Sequence, residues 1–376
     1  MLHACEHSLL GNVGRGEGLN ILLLGGSNTG MSIGWAAHFQ RLAEDHVVTN
    51  GFLGAVGSSF GLLRLLKMEQ ENQPAPDLIV FEYLLNDLAL TNARALDVRL
   101  LADTLTDIAD FCARRNIRLL FLCLELRYKK RPSAIGRLAR VKGAYVRAAR
   151  EHSLTPCIFL HDVLGAPADA ACYHDEHHLT NEVSERVATY VLSAIQAHLP
   201  AIPRASGWRD GAFDYVVATR ARFSGACRVQ EIHSTVFDGL FLEMARPSVS
   251  IWPGRGQVVG LMLRSQVTSG VYRLRACGRA LRKNAHSQIL TVLPKVILLH
   301  YLTKRLLSDD YLEVAMPADE SGLMKVAEDR TVVESSSQTP FIEQVLEING
   351  VMFWRRRTVL ARSLKMLRLM WRGCGE

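Results

Sequence analysis

Three residues of this chain stand in contexts that suit acyl-transfer chemistry, and the first is a serine. Ser27 lies in the run GGSNT (residues 25–29), directly after the apolar residues 19–24. Small residues before a serine allow a sharp turn from a buried strand into a helix, which exposes the hydroxyl above the sheet edge. A serine hydroxyl attacks an acyl carbon only when a base accepts its proton and an acid orients that base. Ser27 is therefore the candidate nucleophile.

The run HDEHH (residues 174–178) supplies candidates for the base and the acid. The three-residue spacing of Asp175 and His178 predicts that they stand about one helical turn apart, so that the carboxylate holds one imidazole nitrogen and the other faces Ser27. His177 is the rival base, at a spacing that favours a solvent-facing side chain. A metal site is the alternative, since histidines and carboxylates bind metals. No H-E-x-x-H motif or second such cluster accompanies the run, so neither a metal nor a cofactor is predicted.

The tetrahedral intermediate of acyl transfer also requires hydrogen-bond donors for its oxyanion, each contributing about 3 kcal/mol when preorganised. The candidates are the backbone N–H groups of Ser27 and Gly54 and the side chain of Asn86. Taken singly, each motif has a structural interpretation, because Gly-Gly-Ser also forms ordinary turns and Asn-Asp also caps helices. The order and spacing of all the motifs favour catalysis, with a degenerate site on the same fold as the alternative.

These motifs resemble those of the SGNH/GDSL hydrolase superfamily, and the resemblance covers roughly residues 19–199. It implies that Ser27 is the nucleophile, that Gly54 and Asn86 complete the oxyanion hole, and that Asp175 and His178 form the D-x-x-H pair. The runs GGSNT and FEYLLND (residues 81–87) look most like those of members associated with bacterial polysaccharide biosynthesis.

Two positions depart from the family pattern. Gly26 stands where an aspartate usually precedes the serine, and Leu84 stands where a glycine usually lies two residues before the asparagine. These changes bear on substrate geometry more than on the triad, since nucleophile, base and acid are all present.

The elements that must position these residues follow from alternating strand and helix signals in the first half of the chain. Apolar runs predict strands over residues 19–25, 46–50, 77–83, 117–124 and 155–160. Apolar residues at helical spacing predict helices between these strands. Strands that alternate with helices form a parallel sheet covered on both faces, so we expect a three-layer flavodoxin-like α/β fold. The candidate site residues follow strand ends or precede the last helix, residues 180–198. The site is therefore predicted at the carboxyl edge of the sheet.

The second half of the chain has a different sequence pattern, with short runs rich in β-forming residues bounded by Gly, Pro and Ser. We expect a mainly antiparallel β domain, a sandwich, in which residues 285–307 form an inserted helix. The predicted organisation is an N-terminal extension (1–18), a catalytic domain (19–199), a linker (200–208), a β-rich accessory domain (209–352) and a basic amphipathic tail (353–376).

Composition agrees with a folded globular protein of 376 residues, 48% hydrophobic and 22% charged. The sequence contains no uncharged apolar stretch of about 18 residues, so no transmembrane helix is predicted. The first 18 residues lack the apolar core of a signal peptide. A cytoplasmic location, peripheral at the inner membrane face, is the expectation. The eight cysteines are scattered without a C-x-x-C pair and are interpreted as buried free thiols.

Positive charge is concentrated in the second half. Residues 244–308 contain no acidic residue, and the tail interleaves arginines with leucines. These features predict a local positive field that attracts an anionic glycan or membrane surface. The alternative for the tail is a helix that packs its leucines on the β domain. No nucleic-acid motif is present, and no nucleic-acid partner is expected.

Three functions from different classes are compatible with the sequence. The leading hypothesis is a serine esterase that removes a small acyl group, an acetyl group, from a carbohydrate through an acyl-enzyme intermediate. The second is a polysaccharide O-acyltransferase that uses the same triad, with a sugar hydroxyl in place of water. The third is a non-catalytic protein that binds a carbohydrate or a membrane.

Overall fold

The structure, a computed structural model, describes residues 18–127, 132–207, 210–234, 236–331 and 333–356. An α/β domain comes first along the chain and a β-rich domain follows. The strands of the α/β domain are β1 (Asn20–Gly25), β2 (Val47–Asn50), β3 (Leu78–Glu82), β4 (Arg118–Cys123) and β5 (Ile158–Phe159). Its helices are α1 (Ser27–Gly30), α2 (Trp35–Leu42), α3 (Ser58–Gln70), α4 (Leu84–Asn92), α5 (Val98–Arg115), α6 (Pro132–Glu151), α7 (Leu160–Leu164) and α8 (Asn181–Ala197).

The five strands form one parallel sheet in the order β2-β1-β3-β4-β5. This is the flavodoxin-like order, so the predicted fold class is confirmed. All five predicted strands are present, and β5 is shortened to two residues. In this order β2 lies on one side of β1 and β3 on the other, and open α/β sheets bind ligands at the carboxyl ends of strands at such a switch point.

Alternate residues of each strand face two different cores, as expected for a parallel sheet covered on both sides. Ile21 and Leu23 pack with α2 and α8, whereas Leu22 and Leu24 face the core that α3, α5 and α6 share. Helix α5 begins after Asp97, whose side chain accepts from Arg99 N, and ends at a left-handed Asn116. Its apolar face, which includes Leu101, Leu105 and Ile108, is buried in the shared core.

The β-rich domain forms an eleven-stranded mixed sheet within the described residues. Strands distant in the sheet order, such as β9 and β10, contribute side chains to one buried cluster. The sheet therefore folds around this cluster. The strands are β6 (Phe213–Val217), β7 (Arg222–Ile232), β8 (Gly239–Pro253), β9 (Gly256–Gln266), β10 (Val271–Ala276), β11 (Arg279–Asn284), β12 (Lys295–Tyr301), β13 (Leu307–Ser308), β14 (Tyr311–Met316), β15 (Ala327–Glu328) and β16 (Val345–Trp354); a short helix, α9 (Ser321–Met324), precedes β15.

The helix predicted over residues 285–307 is wrong. Residues Gln288–Thr291 form a 3-10 turn, and β12 then pairs antiparallel with β9. Pro294 lies between the two elements and cannot donate a helical backbone hydrogen bond. The apolar stretch that looked too long for one strand is divided between a turn, a strand and the loop that follows.

The two domains share a hydrophobic core. Strand β12 and the ends of β6 and β16 pack into the cluster that also contains α3 and α5. Asp103 and Asp107 on α5 accept hydrogen bonds from Trp354 Nε1 (3.0 Å) and Ala212 N (2.6 Å). The segment between the domains is attached too, since Ser206 N donates to Asp110 at 2.5 Å.

No helix in the described ranges is long and apolar enough to span a membrane. Strand β16 continues to Trp354, so Phe353 and Trp354 are buried strand residues. Residues 357–376, and with them most of the predicted basic tail, lie outside the described residues. Binding of the tail to membranes stays a prediction. The N-terminal extension also stays a prediction.

Candidate active site

Ser27, the candidate nucleophile, lies at the turn between β1 and α1. Gly26 is the N-cap of α1, and Ser27 is the first residue of the helix. A Cβ atom at Gly26 would lie 2.1 Å from Asn86 Oδ1, so only glycine lets the Asn86 side chain approach the turn this closely. The departure of Gly26 from the family's aspartate therefore has a steric reason in this chain.

A buried acid accepts hydrogen bonds from the turn that carries Ser27. Glu82, the last residue of β3, accepts through Oε2 from Thr29 Oγ1 (2.9 Å) and from Gly26 N (3.3 Å). Burial raises the pKa of Glu82 to about 8, although the hydrogen bonds from Thr29 and Gly26 act in the opposite direction. Burial therefore favours the protonated form of this carboxyl group, whose Oε1 has no hydrogen-bond partner within the described residues.

His178 and Asp175 complete a hydrogen-bonded chain to the serine. His178 Nε2 lies 2.8 Å from Ser27 Oγ, and His178 Nδ1 lies 2.6 Å from Asp175 Oδ2. Partial burial acts to raise the pKa of Asp175, but the hydrogen bonds from the His178 ring and from the backbone of His177 and His178 hold it well below its usual range. The carboxylate is thus ionised and fixes the imidazole with one nitrogen toward the serine.

The spacing of acid and base comes from a loop and not from a helical turn, which corrects the geometry expected from the sequence. Tyr173 and Leu179 pair as an antiparallel bridge, and residues 174–178 form the bend between them. Asp175 Oδ1 accepts from His177 N (2.6 Å) and His178 N (2.8 Å), which closes the bend. The His177 side chain is exposed, and its ring centroid lies 6.3 Å from that of His178.

The predicted oxyanion donors gather around Ser27. A Cβ atom at Gly54 would lie 3.6 Å from Ser27 Cβ, which places this backbone beside the nucleophile. Asn86 lies in the first turn of α4, largely buried, with its amide against Gly26. The structure therefore brings together all five residues that the sequence singled out: Ser27, Gly54, Asn86, Asp175 and His178.

Asn28 and Asp87 connect the segments that carry the site residues, and neither was predicted from the sequence to have this role. Asn28 donates from Nδ2 to His177 O (2.9 Å) and accepts at Oδ1 from Leu179 N (3.0 Å), so it ties the base loop to α1. Asp87 accepts from Ser58 N (2.8 Å) and Tyr145 Oη (2.6 Å). The sequence offered one signal for these roles, namely that Asn28 follows Ser27 and Asp87 follows Asn86. Their hydrogen-bond partners could not be predicted, because they lie 29 to 151 residues away in the sequence.

Acids from outside the basic segment 244–308 pair with part of its positive charge. Arg246 is buried and donates to three backbone carbonyls. Ion pairs join Arg255 to Asp310, Arg264 to Glu347, Arg273 and Arg275 to Glu313, Arg282 to Glu328, and Lys283 to Asp329 and Glu334. The positive field expected from the local sequence is therefore weakened in space, because later strands bring acids beside it.

The described residues contain no group of three or more His, Cys, Asp or Glu side chains arranged to hold a metal ion. What they do contain is a hydrogen-bonded Ser27–His178–Asp175 chain at the carboxyl edge of a 2-1-3-4-5 parallel sheet, with candidate oxyanion donors beside the serine. This strand order agrees with the fold that the resemblance to SGNH/GDSL hydrolases implies.

Comparison with solved structures extends this likeness to both domains. A two-domain esterase active on acetylated mannans is 15% identical, with 91% of this chain and 93% of that chain covered and a TM-score of 0.57. The same description applies to a structure co-crystallised with mannopentaose, which is 15% identical, with coverage of 91% and 92% and a TM-score of 0.56. A GDSL-like lipase from Bacteroides thetaiotaomicron is 15% identical over 47% of this chain and 87% of that chain, with a TM-score of 0.38. No family model and no curated protein matches the chain.

Proposed function

We propose that the protein is a serine esterase that removes a small acyl group, an acetyl group, from an acylated carbohydrate. The observation that carries this proposal is the continuous hydrogen-bonded chain from Asp175 through His178 to Ser27, with distances of 2.6 and 2.8 Å. The substrate class is supported by the two-domain esterase that shares the fold over nine-tenths of the chain.

Each step of the reaction has a residue in this arrangement. His178 accepts the proton of Ser27 as Oγ attacks the ester carbon, and Asp175 stabilises the imidazolium that forms. The Ser27 and Gly54 N–H groups and Asn86 Nδ2 donate to the oxyanion. His178 then protonates the departing sugar hydroxyl, which leaves an acetyl group on Ser27. In the second half, His178 activates a water molecule that releases acetate and restores the serine.

Solvent access favours hydrolysis over acyl transfer. The side chain of Asp175 is 47% exposed and that of His178 is 26% exposed, so water reaches the acyl-enzyme readily. A transferase must exclude water from the same intermediate so that a sugar hydroxyl attacks first. The open triad supports the esterase, and the O-acyltransferase stays the second candidate.

The test is acetate release from acetylated mannan and from p-nitrophenyl acetate by the full-length protein. We expect release by the wild type and by Ser193→Ala, an exposed serine on α8, and near-complete loss in Ser27→Ala. A binding protein would release nothing from either ester. A transferase would form acetylated oligosaccharide faster than free acetate when mannose oligosaccharides are added.

A further inference from the structure

The segment that carries Gly54 has no regular secondary structure, yet both of its ends are anchored. We call residues 51–57, between β2 and α3, the oxyanion loop. At its start, Gly51 N donates to Leu23 O (2.8 Å) and Leu53 N donates to Gly25 O (3.0 Å). These bonds attach the beginning of the loop to β1, just before the nucleophile turn. The position of the Gly54 N–H therefore depends on how the other end is held.

One anchor of the far end comes from the catalytic domain itself. Asp87 Oδ1 accepts from Ser58 N at 2.8 Å, and Asp87 Oδ2 accepts from Tyr145 Oη at 2.6 Å and from Ser58 Oγ. A Cβ atom at Gly57 would lie 2.3 Å from Asp87 Oδ1, so the close approach requires glycine. Since Asp87 directly follows Asn86, one turn of α4 bears an oxyanion donor and holds the loop that bears another.

The second anchor comes from the β-rich domain. Tyr301, the last residue of β12, accepts at its phenol oxygen from Gly57 N at 3.1 Å, across 244 residues of sequence. It is 2% exposed and packs in the core shared by the two domains, together with Ile297 and Leu299 from the same face of β12. Pairing with Gly260 on β9 fixes its backbone. A rigid sheet of the second domain thus sets the position of one loop N–H.

We infer that Tyr301 is a positioning residue for the oxyanion loop, and that the β-rich domain is in this way a working part of the catalytic unit. This inference rests on the proposed esterase function. The physical reason is preorganisation: an oxyanion donor stabilises the transition state only when its N–H already points at the developing charge. A buried hydrogen bond at Gly57 removes alternative loop conformations before substrate binds, and small displacements of such a donor slow the reaction by up to about a hundredfold.

Tyr301→Phe removes only the accepting oxygen and is compared with Tyr272→Phe. Tyr272 lies in the same domain and is buried, and its hydroxyl has no hydrogen-bond partner within the described residues. With p-nitrophenyl acetate we expect Tyr301→Phe to lower kcat by about tenfold to a hundredfold with KM nearly unchanged. Tyr272→Phe is expected to match the wild type. Equal kinetics of Tyr301→Phe and Tyr272→Phe would overturn the inference.

A second measurement separates positioning from a general loss of structure. A trifluoromethyl ketone forms a tetrahedral oxyanion on the serine, so its inhibition constant should rise in Tyr301→Phe by the same factor as kcat/KM falls, while the KM for p-nitrophenyl acetate stays nearly unchanged. Asp87→Asn, which weakens the other anchor without altering the β-rich domain, should show the same pattern. A fall in kcat/KM in both variants without weaker ketone inhibition would contradict positioning. Full activity of Ser27→Ala would instead refute the esterase itself, so the two failures are distinguishable.

Discussion

The side chain of Asn28 forms hydrogen bonds with the two residues that flank His178 in the sequence. Its Nδ2 donates to the His177 carbonyl at 2.9 Å, and its Oδ1 accepts from Leu179 N at 3.0 Å. Asn28 is 3% exposed and follows the nucleophile directly in sequence. One side chain therefore fixes the separation between the helix that carries Ser27 and the loop that carries its base.

Replacing Asn28 by alanine should slow catalysis although the residue contacts neither base nor nucleophile through its side chain. Loss of both hydrogen bonds frees the base loop, and misplacement of a general base by about an ångström costs up to a hundredfold in rate. We expect kcat of Asn28→Ala to fall by about tenfold to a hundredfold, measured with p-nitrophenyl acetate. Asn92→Ala, at the exposed end of α4, is the control. Wild-type kcat in a folded Asn28→Ala variant would show that other contacts position the loop.

The two adjacent histidines should differ strongly in importance. His178 Nε2 lies 2.8 Å from Ser27 Oγ, whereas the His177 side chain is exposed. His178→Ala should therefore lower kcat by several powers of ten, and His177→Ala should cost far less, since only His178 can accept the serine proton. Comparable losses in both variants, together with inhibition by a chelator that zinc or manganese reverses, would point to a metal site instead.

The contact between Gly26 and Asn86 predicts that two different substitutions give one phenotype. Asn86→Ala removes an oxyanion donor and should lower kcat by about a hundredfold to a thousandfold with KM nearly unchanged. Gly26→Ala should approach the same loss, because its Cβ would meet Asn86 Oδ1 at 2.1 Å and push the amide away. The double variant should be little worse than Asn86→Ala alone. Independent, multiplying losses would argue that the two residues act separately.

The α/β domain was predictable because its signals are local. The apolar runs define β1, β3 and β4, and the motif at each strand end identifies Ser27 and Asn86. The contacts that hold these residues were not predictable, since Asn28 and Asp87 bond to segments that only the folded chain brings near. The carboxylates of α5 illustrate the same limit: Asp103 and Asp107 have no local signal, yet they accept hydrogen bonds from Trp354 and Ala212.

The β-rich half was predictable in class but not in detail. Short runs bounded by turn residues indicate strands, but strand order and pairing depend on distant partners. The ion pairs could not be predicted for the same reason, because Glu347 and Glu313 lie far along the chain from Arg264 and Arg273, with which they pair. Binding of an anionic glycan or membrane surface stays a prediction.

Glu82 should make stability fall with rising pH. Its pKa is about 8 in the folded protein against an ordinary value of 4.5. Below the lower value both states are protonated; between the two values only the unfolded chain ionises, so it binds fewer protons and stability declines as pH rises. Glu82→Gln lacks this titration. We expect the free energy of unfolding of the wild type, measured with denaturant, to fall relative to that of Glu82→Gln across this range. Parallel profiles would show that Glu82 is already ionised in the folded state.

The central claim is that Ser27, activated by His178, forms a covalent acyl-enzyme. It is tested most directly by treating the full-length protein with a serine-directed fluorophosphonate and locating the adduct by peptide mass spectrometry. Among the serines of the described residues, Ser27 is the one that lies within hydrogen-bond distance of His178, whose ring Asp175 orients. The account predicts one adduct per chain on Ser27, formed much more slowly in His178→Ala and not at all in Ser27→Ala. An adduct on another serine, or labelling of Ser27 at an unchanged rate in His178→Ala, would contradict it.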